Sequence, residues 1–325
     1  MTAVVQNAYG LDALAIGERP VPVPGPGEVR IQVTASTVNP MDWHLATGMP
    51  QIVRLAEGFQ RPRQEVPGRE ASGVVDMLGE GVTDLEVGQS VFGWVRGGFA
   101  EFAIAPAAYL CGAPTQMSAQ ACAALPIAGA TALEAIEAGD VSGRRVLING
   151  ASGGVGHYAV QIAKAVGAHH VAGVCSSRNV AFVRSLGADQ VIAYDTHDFT
   201  RERWDVIIDC VGNRDEHSIR RALTDHGCWV VVGDKDRDGW LGPLPRLVSR
   251  LARWKLGTRT CHWFVQKETQ RYLHDLVDLV DNGHLRTHLD ERFTLASVPS
   301  AYARIESRRS VGKLGVDVTP RLNAP

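Results

Sequence analysis

Over the first third of the chain, apolar residues come in short Val-rich segments broken by Gly and Pro, with no helical periodicity of any length. Residues 29–33, 73–77, 89–92 and 99–104 alternate with turns such as PVPGPGE (22–28) and GEGVTD (79–84). Short strands at this spacing predict a partly closed all-β domain. From Ser118 the pattern changes to SAQACAALPIAGATALEAIEAG (118–139). Ser118 suits an N-cap, Pro126 divides the run into two helices, and Gly139 ends the second. Apolar runs then recur at 146–148, 170–175, 191–194, 204–211 and 228–232, separated by helical segments. That alternation predicts a parallel sheet covered on both faces. Residues 258–266 read as its last strand and 267–281 as a helix stopped by Gly283. The tail returns to short strands, ending in GKLGV (312–316), so the chain is expected to complete the β domain it began with. The expected fold is α/β, with residues 1–122 and 267–325 in a partly closed β-barrel and 123–266 in a doubly wound parallel sheet.

The stretch RVLINGASGGVG (145–156) organises the second domain. A short apolar strand leads into a turn of small residues, and from Gly154 onward Val155, Tyr158, Ala159, Ile162, Ala163 and Val166 recur at helical spacing up to Gly167. The turn reads Ala151-x-Gly153-x-x-Gly156, with Ser152, Gly154 and Val155 between, and a helix start of this kind suits a pyrophosphate. About 20 residues on, where a ribose-reading acid would stand, the chain has Cys175, Ser176, Ser177 and Arg178, with no acid until Asp189. Hydroxyls and a guanidinium suit a 2′-phosphate, so NADPH is the expected cofactor; Ser176 is also placed to cap the helix of residues 179–186.

Composition narrows the function. The chain has 325 residues, 45% hydrophobic and 21% charged, with a net charge of −2. Two domains with real cores fit this length, and near-neutrality offers nothing to nucleic acid or an anionic membrane. The start MTAVVQNAYG has no signal-peptide blocks and no apolar run reaches membrane-spanning length, which points to the cytoplasm. Six scattered cysteines contain no C-x-x-C pair and indicate neither a disulfide framework nor a cysteine zinc lobe. Residues 243–256 form a basic amphipathic pattern that reads as a lid or wall, with a membrane-surface contact as the minority reading.

Taken together, VNPMDW (38–43), VPGREASGVV (66–75), GGFAEF (97–102), ALPIAGATAL (124–133), GASGGVG, LGADQVIAY (186–194) and GKLGV resemble the medium-chain dehydrogenase/reductase superfamily. The likeness covers essentially the whole chain and is to the zinc-free quinone oxidoreductase branch, nearest the subgroup of the mitochondrial reticulon-interacting oxidoreductase. It implies a GroES-like β domain, a Rossmann domain, NADPH and substrate held between them, and a homodimer paired through the strand at 258–266. Zinc-dependent relatives place Cys and His where this chain has Asn39 and Arg69. An amide and a guanidinium cannot replace thiolate and imidazole, so no metal is expected.

The resemblance also assigns candidate roles. Asn39 is the first candidate for a polar contact to cofactor or substrate, although Asn before Pro40 equally suits a turn. Asp42 is structural or orients a neighbour, and His44, where relatives carry Lys, is a candidate proton donor. Thr131 is placed beside the nicotinamide and Tyr194 beside the adenosine phosphate. Val211, Gly212 and Gly233 stand at strand ends where a doubly wound sheet receives its ligand, and Gly312 and Lys313 are further cofactor candidates. Trp43, Trp94, Trp263 and Phe264 are candidate walls for a flat substrate. The implied activity is reduction of a quinone or an α,β-unsaturated carbonyl. A dedicated biosynthetic reductase and a low-turnover NADPH-binding partner protein are the alternatives.

Overall fold

The computed structural model describes residues 1–233, Trp254 and residues 257–318. Strands β1 (Thr2–Gln6), β2 (Leu14–Glu18) and β3 (Glu28–Val38) come first, then helices α1 (Pro40–Thr47) and α2 (Val53–Glu57). Next are β4 (Glu70–Leu78), β5 (Ser90–Trp94), β6 (Phe102–Pro106) and β7 (Leu110–Gly112), followed by α3 (Ala119–Ala123) and α4 (Pro126–Gly139). The central part runs β8 (Arg145–Asn149), α5 (Gly156–Ala165), β9 (His170–Cys175), α6 (Val180–Ser185), β10 (Gln190–Ala193), β11 (Trp204–Asp209), α7 (Glu216–Ala222) and β12 (Leu223–Val231). The last elements are β13 (Thr260–Trp263), α8 (Gln270–Asp281), β14 (Leu289–Thr294), α9 (Val298–Glu306) and β15 (Lys313–Asp317).

These elements form two compact units, one of Met1–Ile127, Glu268–Asp281 and Thr287–Pro325, the other of Ala128–Lys267 and Asn282–Arg286. In the first, the sheet order is β14-β15-β3-β4-β5-β7, with β6 also paired to β3 and β1-β2 a separate hairpin. Strand β3 anchors this sheet, and Val29, Ile31 and Val33 along it are fully buried at the period of two that a strand imposes.

The second unit is a six-stranded sheet of order β10-β9-β8-β11-β12-β13, parallel throughout. Reading outward from β8, this is the order of a doubly wound nucleotide fold, with β8 beside the point where the order reverses. Val146, Leu147 and Ile148 on β8 are wholly buried, which is why that strand reads as an unbroken apolar run.

Three expectations change. The first segment is not free of helix, because α1 and α2 lie in it. Helix α1 buries only Asp42 and Ala46, so it shows no apolar stripe to read. The tail is not only strands: α9 buries Val298, Ala301, Tyr302 and Ile305, a helical spacing already present in the sequence. The last sheet strand spans Thr260–Trp263 alone, and α8 begins at Gln270. Of the basic segment at 243–256, only Trp254 lies among the described residues. It is buried against Trp229, with ring centroids 5.5 Å apart, and donates to Glu216 at 2.7 Å.

Candidate dinucleotide turn and a buried polar cluster

In the second unit, β8 ends at Asn149 and α5 begins at Gly156. A Cβ on Gly156 would lie 2.1 Å from the Gly150 carbonyl oxygen, so only glycine lets the helix start this close to the strand. Gly150 itself has φ +87° and accepts from the Gly153 amide at 3.0 Å. Among the described residues, the amides of Gly154, Val155 and Gly156 have no backbone acceptor. Unpaired donors at the start of a ten-residue helix are what a pyrophosphate needs, so this turn fits the dinucleotide.

Asp209, at the end of β11, ties the neighbouring strand ends together. Its Oδ1 accepts from Asn149 Nδ2 at 2.8 Å and from the amides of Val211 and Gly212 at 3.2 and 2.9 Å. Its carbonyl accepts from the Gly233 amide at 3.0 Å. Val211, Gly212 and Gly233 are thereby held at the carboxyl ends of the sheet, where such folds receive ligands. Burial raises the Asp209 carboxyl pKa against the lowering effect of these bonds. Asp209 and Asn149 are not among the residues expected at the site; the signal for them is an acid closing the apolar run WDVIID.

At the end of β9 the chain makes a turn of 3-10 helix, Ser177–Asn179. Arg178 is exposed and forms no ion pair among the described residues. The expected cap is corrected here. Among the described residues the Ser176 hydroxyl has no hydrogen-bond partner, and Asn179 occupies the N-cap position of α6, its side-chain amide donating to Ser152 Oγ at 3.1 Å. Tyr194 lies just past β10 and is 54% exposed, with its backbone amide bonded to the Cys175 carbonyl at 3.0 Å. Thr131 is half-buried on α4.

The first unit holds a buried polar cluster. Glu70, at the start of β4, is wholly buried. Its Oε1 accepts from Asn39 Nδ2 at 2.7 Å, from Lys313 Nζ at 2.9 Å and from the Thr37 hydroxyl, and its Oε2 from the Ile127 amide at 2.7 Å. Lys313, 3% exposed, also donates to Asn39 Oδ1. Asn39 precedes α1, and its backbone amide donates to Asp42 Oδ2 at 2.8 Å while Nδ2 reaches the same oxygen at 3.3 Å.

This geometry corrects two assignments and shows the backbone role of a third. Both amide hydrogens of Asn39 are engaged inside the protein, so it positions neighbours rather than offering a donor to a substrate carbonyl. The Lys313 ammonium is bound to Glu70 and Asn39 rather than reaching a dinucleotide. Gly312, with φ +69°, makes the turn before β15, where a Cβ would meet the His288 carbonyl at 2.3 Å. Asp42 is 1% exposed; burial pushes its pKa from 3.8 up to about 7, the Asn39 amide opposes this and the Glu70 charge adds to it. Beside it a cavity of about 20 Å³, lined also by Gln64, Gly68 and Arg69, has room for about one water.

Known proteins carry the same pattern. The alcohol dehydrogenase GroES-like domain profile matches residues 25–115, and the zinc-binding dehydrogenase profile matches residues 186–315. The chain is 32% identical to the chloroplastic quinone-oxidoreductase QR1 of Triphysaria versicolor over 98% of both sequences. It belongs to the medium-chain dehydrogenase/reductase superfamily. Another relative in this superfamily is the mitochondrial NAD(P)H oxidoreductase RTN4IP1 of Mus musculus, 30% identical over 90% of this chain and 82% of that protein. The quinone oxidoreductase structure from Coxiella burnetii superposes with a TM-score of 0.86 at 29% identity, covering 98% of this chain and 99% of the other. The first unit is accordingly the GroES-like domain of the superfamily and the second its Rossmann domain, and the chain is of the NAD(P)H oxidoreductase class.

The zinc-ligand positions of the superfamily carry a different donor set in this chain. The two ligand positions hold Asn39, fully engaged with Asp42, Glu70 and Lys313, and Arg69, whose Nη2 lies 3.8 Å from Glu268 Oε1. An amide and an ammonium bound to the Glu70 carboxylate, with a guanidinium facing Glu268, do not fit a zinc ion. His44 is half-buried on α1, its Nδ1 2.6 Å from the Met49 carbonyl, which requires the proton on Nδ1. The Trp43 ring meets it edge-on at 5.1 Å and donates to Glu306 at 2.7 Å. Trp94 is buried in the barrel against Tyr109, whereas Trp263 at the end of β13 is 40% exposed and Phe264 is half-buried.

Proposed function

We propose that this chain is an NADPH-dependent, zinc-independent reductase of quinones or α,β-unsaturated carbonyl compounds. The observation that carries the cofactor choice is the end of β9. There Ser176, Ser177 and Arg178 follow the strand, no acid stands in its loop, and the Arg178 guanidinium has no ion-pair partner among the described residues. A fork of this kind grips a phosphate through paired charge-assisted hydrogen bonds. The unpaired amides of Gly154, Val155 and Gly156 would hold the pyrophosphate, with Ala151, Ser152 and Gly153 shaping the turn. Thr131, Tyr194, Val211, Gly212 and Gly233 are the remaining candidate contacts.

Bound NADPH would supply a hydride. A quinone or enone that accepts hydride at carbon moves the negative charge onto its oxygen, and one proton completes the two-electron reduction. No Lewis acid is needed for such an acceptor, because its own conjugation carries the charge and oriented donors suffice to stabilise it. His44 is the candidate donor of that proton, with the Met49 carbonyl fixing its ring. Asn39 and Asp42 are positioning residues that hold the start of α1, from which His44 projects. The chloroplastic and Coxiella relatives are quinone oxidoreductases by name, which supports the quinone side of this reading. A homodimer through the outer side of β13 is part of the proposal, since that strand is paired only to β12 among the described residues.

The test is oxidation of NADPH and NADH with a panel of quinones and enones, for the protein and for Arg178→Ala. Turnover is expected, with the variant raising KM for NADPH about tenfold or more and KM for NADH much less, as loss of a charge-assisted phosphate contact requires. Equal effects on the two cofactors would remove the NADPH assignment. Tight NADPH binding without turnover of any acceptor would remove the enzyme.

A further inference from the structure

Asp195 lies two residues beyond β10, on the strand adjoining β9. Its carboxylate reaches across to the turn after β9, where Oδ1 accepts from the Ser177 hydroxyl at 2.6 Å and Oδ2 from the Ser177 amide at 3.2 Å. These bonds keep its pKa below the usual carboxylate value, so it is ionised at neutral pH. The side chain next along is the exposed Arg178. A full negative charge therefore stands on the very donors that the turn would present to a ribose 2′ substituent.

We infer that Asp195 is a specificity-determining residue that holds back the preference for the phosphorylated dinucleotide by competing with its 2′-phosphate for the Ser177 donors. A 2′-phosphate brings three acceptor oxygens and up to two negative charges to this turn. It must take Ser177 from Asp195 or lie beside it, and either way two like charges face each other within the range where screening is incomplete. A 2′-hydroxyl brings no charge, and it can donate to the carboxylate. The two cofactors thus meet opposite responses from one side chain. Asp195 is exposed and borders an open depression of about 610 Å³ shared with Tyr194, His197, Arg201 and Arg214, so it can release Ser177 without repacking the core. The sequence alone hides this acid, because it stands 18 residues from Ser177, in the turn just past the next strand, and not in the loop where such an acid is sought.

The inference rests on the reading of β8 and β9 as a dinucleotide site. Its test is calorimetric titration of the whole protein, Asp195→Asn and Asp195→Ser with NADPH and NADH, without acceptor. Both variants are expected to tighten NADPH on the order of three- to tenfold, the size of a partly screened charge repulsion. NADH should change by less than twofold or weaken slightly, and the gain for NADPH should shrink in high salt. Unchanged or weakened NADPH binding in both variants, with melting temperatures intact, would overturn the inference and leave Asp195 as a brace for the turn. If the unaltered protein prefers NADH yet both variants swing toward NADPH, the role of Asp195 stands while the NADPH assignment fails. If neither dinucleotide binds any of the three proteins, both fall.

Discussion

A buried carboxyl that keeps its proton to near neutrality leaves a mark on stability, and Asp42 is such a group. In the unfolded chain it releases its proton near the ordinary value of 3.8, and in the fold near about 7. Between those values the folded state holds the extra proton, so the stabilising contribution of Asp42 is complete below about pH 4 and lost as pH rises through about 7. The steepest slope for one such group is about 1.4 kcal/mol per pH unit. Asp42→Asn keeps an acceptor for the Asn39 amide and removes the titration. Its melting temperature relative to the unaltered protein should therefore rise from pH 5 to pH 8, and an offset independent of pH would contradict a proton held by this carboxyl. The cluster around it marks where sequence reading stops at this scale. That Asn39 begins a turn was legible from Pro40 beside it, but Glu70 and Lys313 meet across 243 positions, and no local pattern announces such a pair. What the sequence does display is an acid in GREASG flanked by residues of strand type. A buried acid must find a partner, and that partner was visible in the sequence only as a candidate cofactor contact.

Elements were most legible where burial leaves no choice. The strands of the parallel sheet have apolar neighbours on both faces, so β8, β9 and β11 stand out as unbroken runs whose extents differ from the expected ones by no more than two residues at an end. Helix α1 failed to stand out for the opposite reason, since the side it buries includes Asp42. The tightest constraint at this scale is the approach of α5 to β8. A methyl group at Gly156 would lie 2.1 Å from the Gly150 oxygen and 2.8 Å from the Ala151 Cα, both main-chain atoms that cannot swing away. Gly156→Ala should cost about 1 to 3 kcal/mol of stability, as overpacking does. Because the helix start itself must shift, it should also weaken NADPH binding by more than tenfold in the same titration. Dinucleotide affinity that survives the substitution would mean that the amides of this turn do not hold the phosphates.

For the whole molecule, composition was a modest guide: a net charge of −2 and two lobes' worth of apolar residues describe many oxidoreductases and much else. No described helix is long and apolar enough to cross a membrane. None of the six cysteines forms a disulfide among the described residues. The outer side of β13, unpaired among the described residues, leads to a measurable expectation, since sedimentation equilibrium should give twice the 35.0 kDa chain mass, while a mass of one chain would withdraw the pairing of edges. A last consequence comes from β15, which sits between β14 and β3 in the barrel sheet. Strand β3 is made early and β15 almost last, so during translation the barrel waits for its inner seam while the nucleotide lobe, contiguous over most of its length, has already been made. At ribosomal speeds that wait is roughly 10 to 50 s. Through it the last four residues of β3, Ala35–Val38, stand with one flank open, because β6 covers only Glu28–Gln32 on that side, a natural moment for a chaperone to hold the nascent polypeptide.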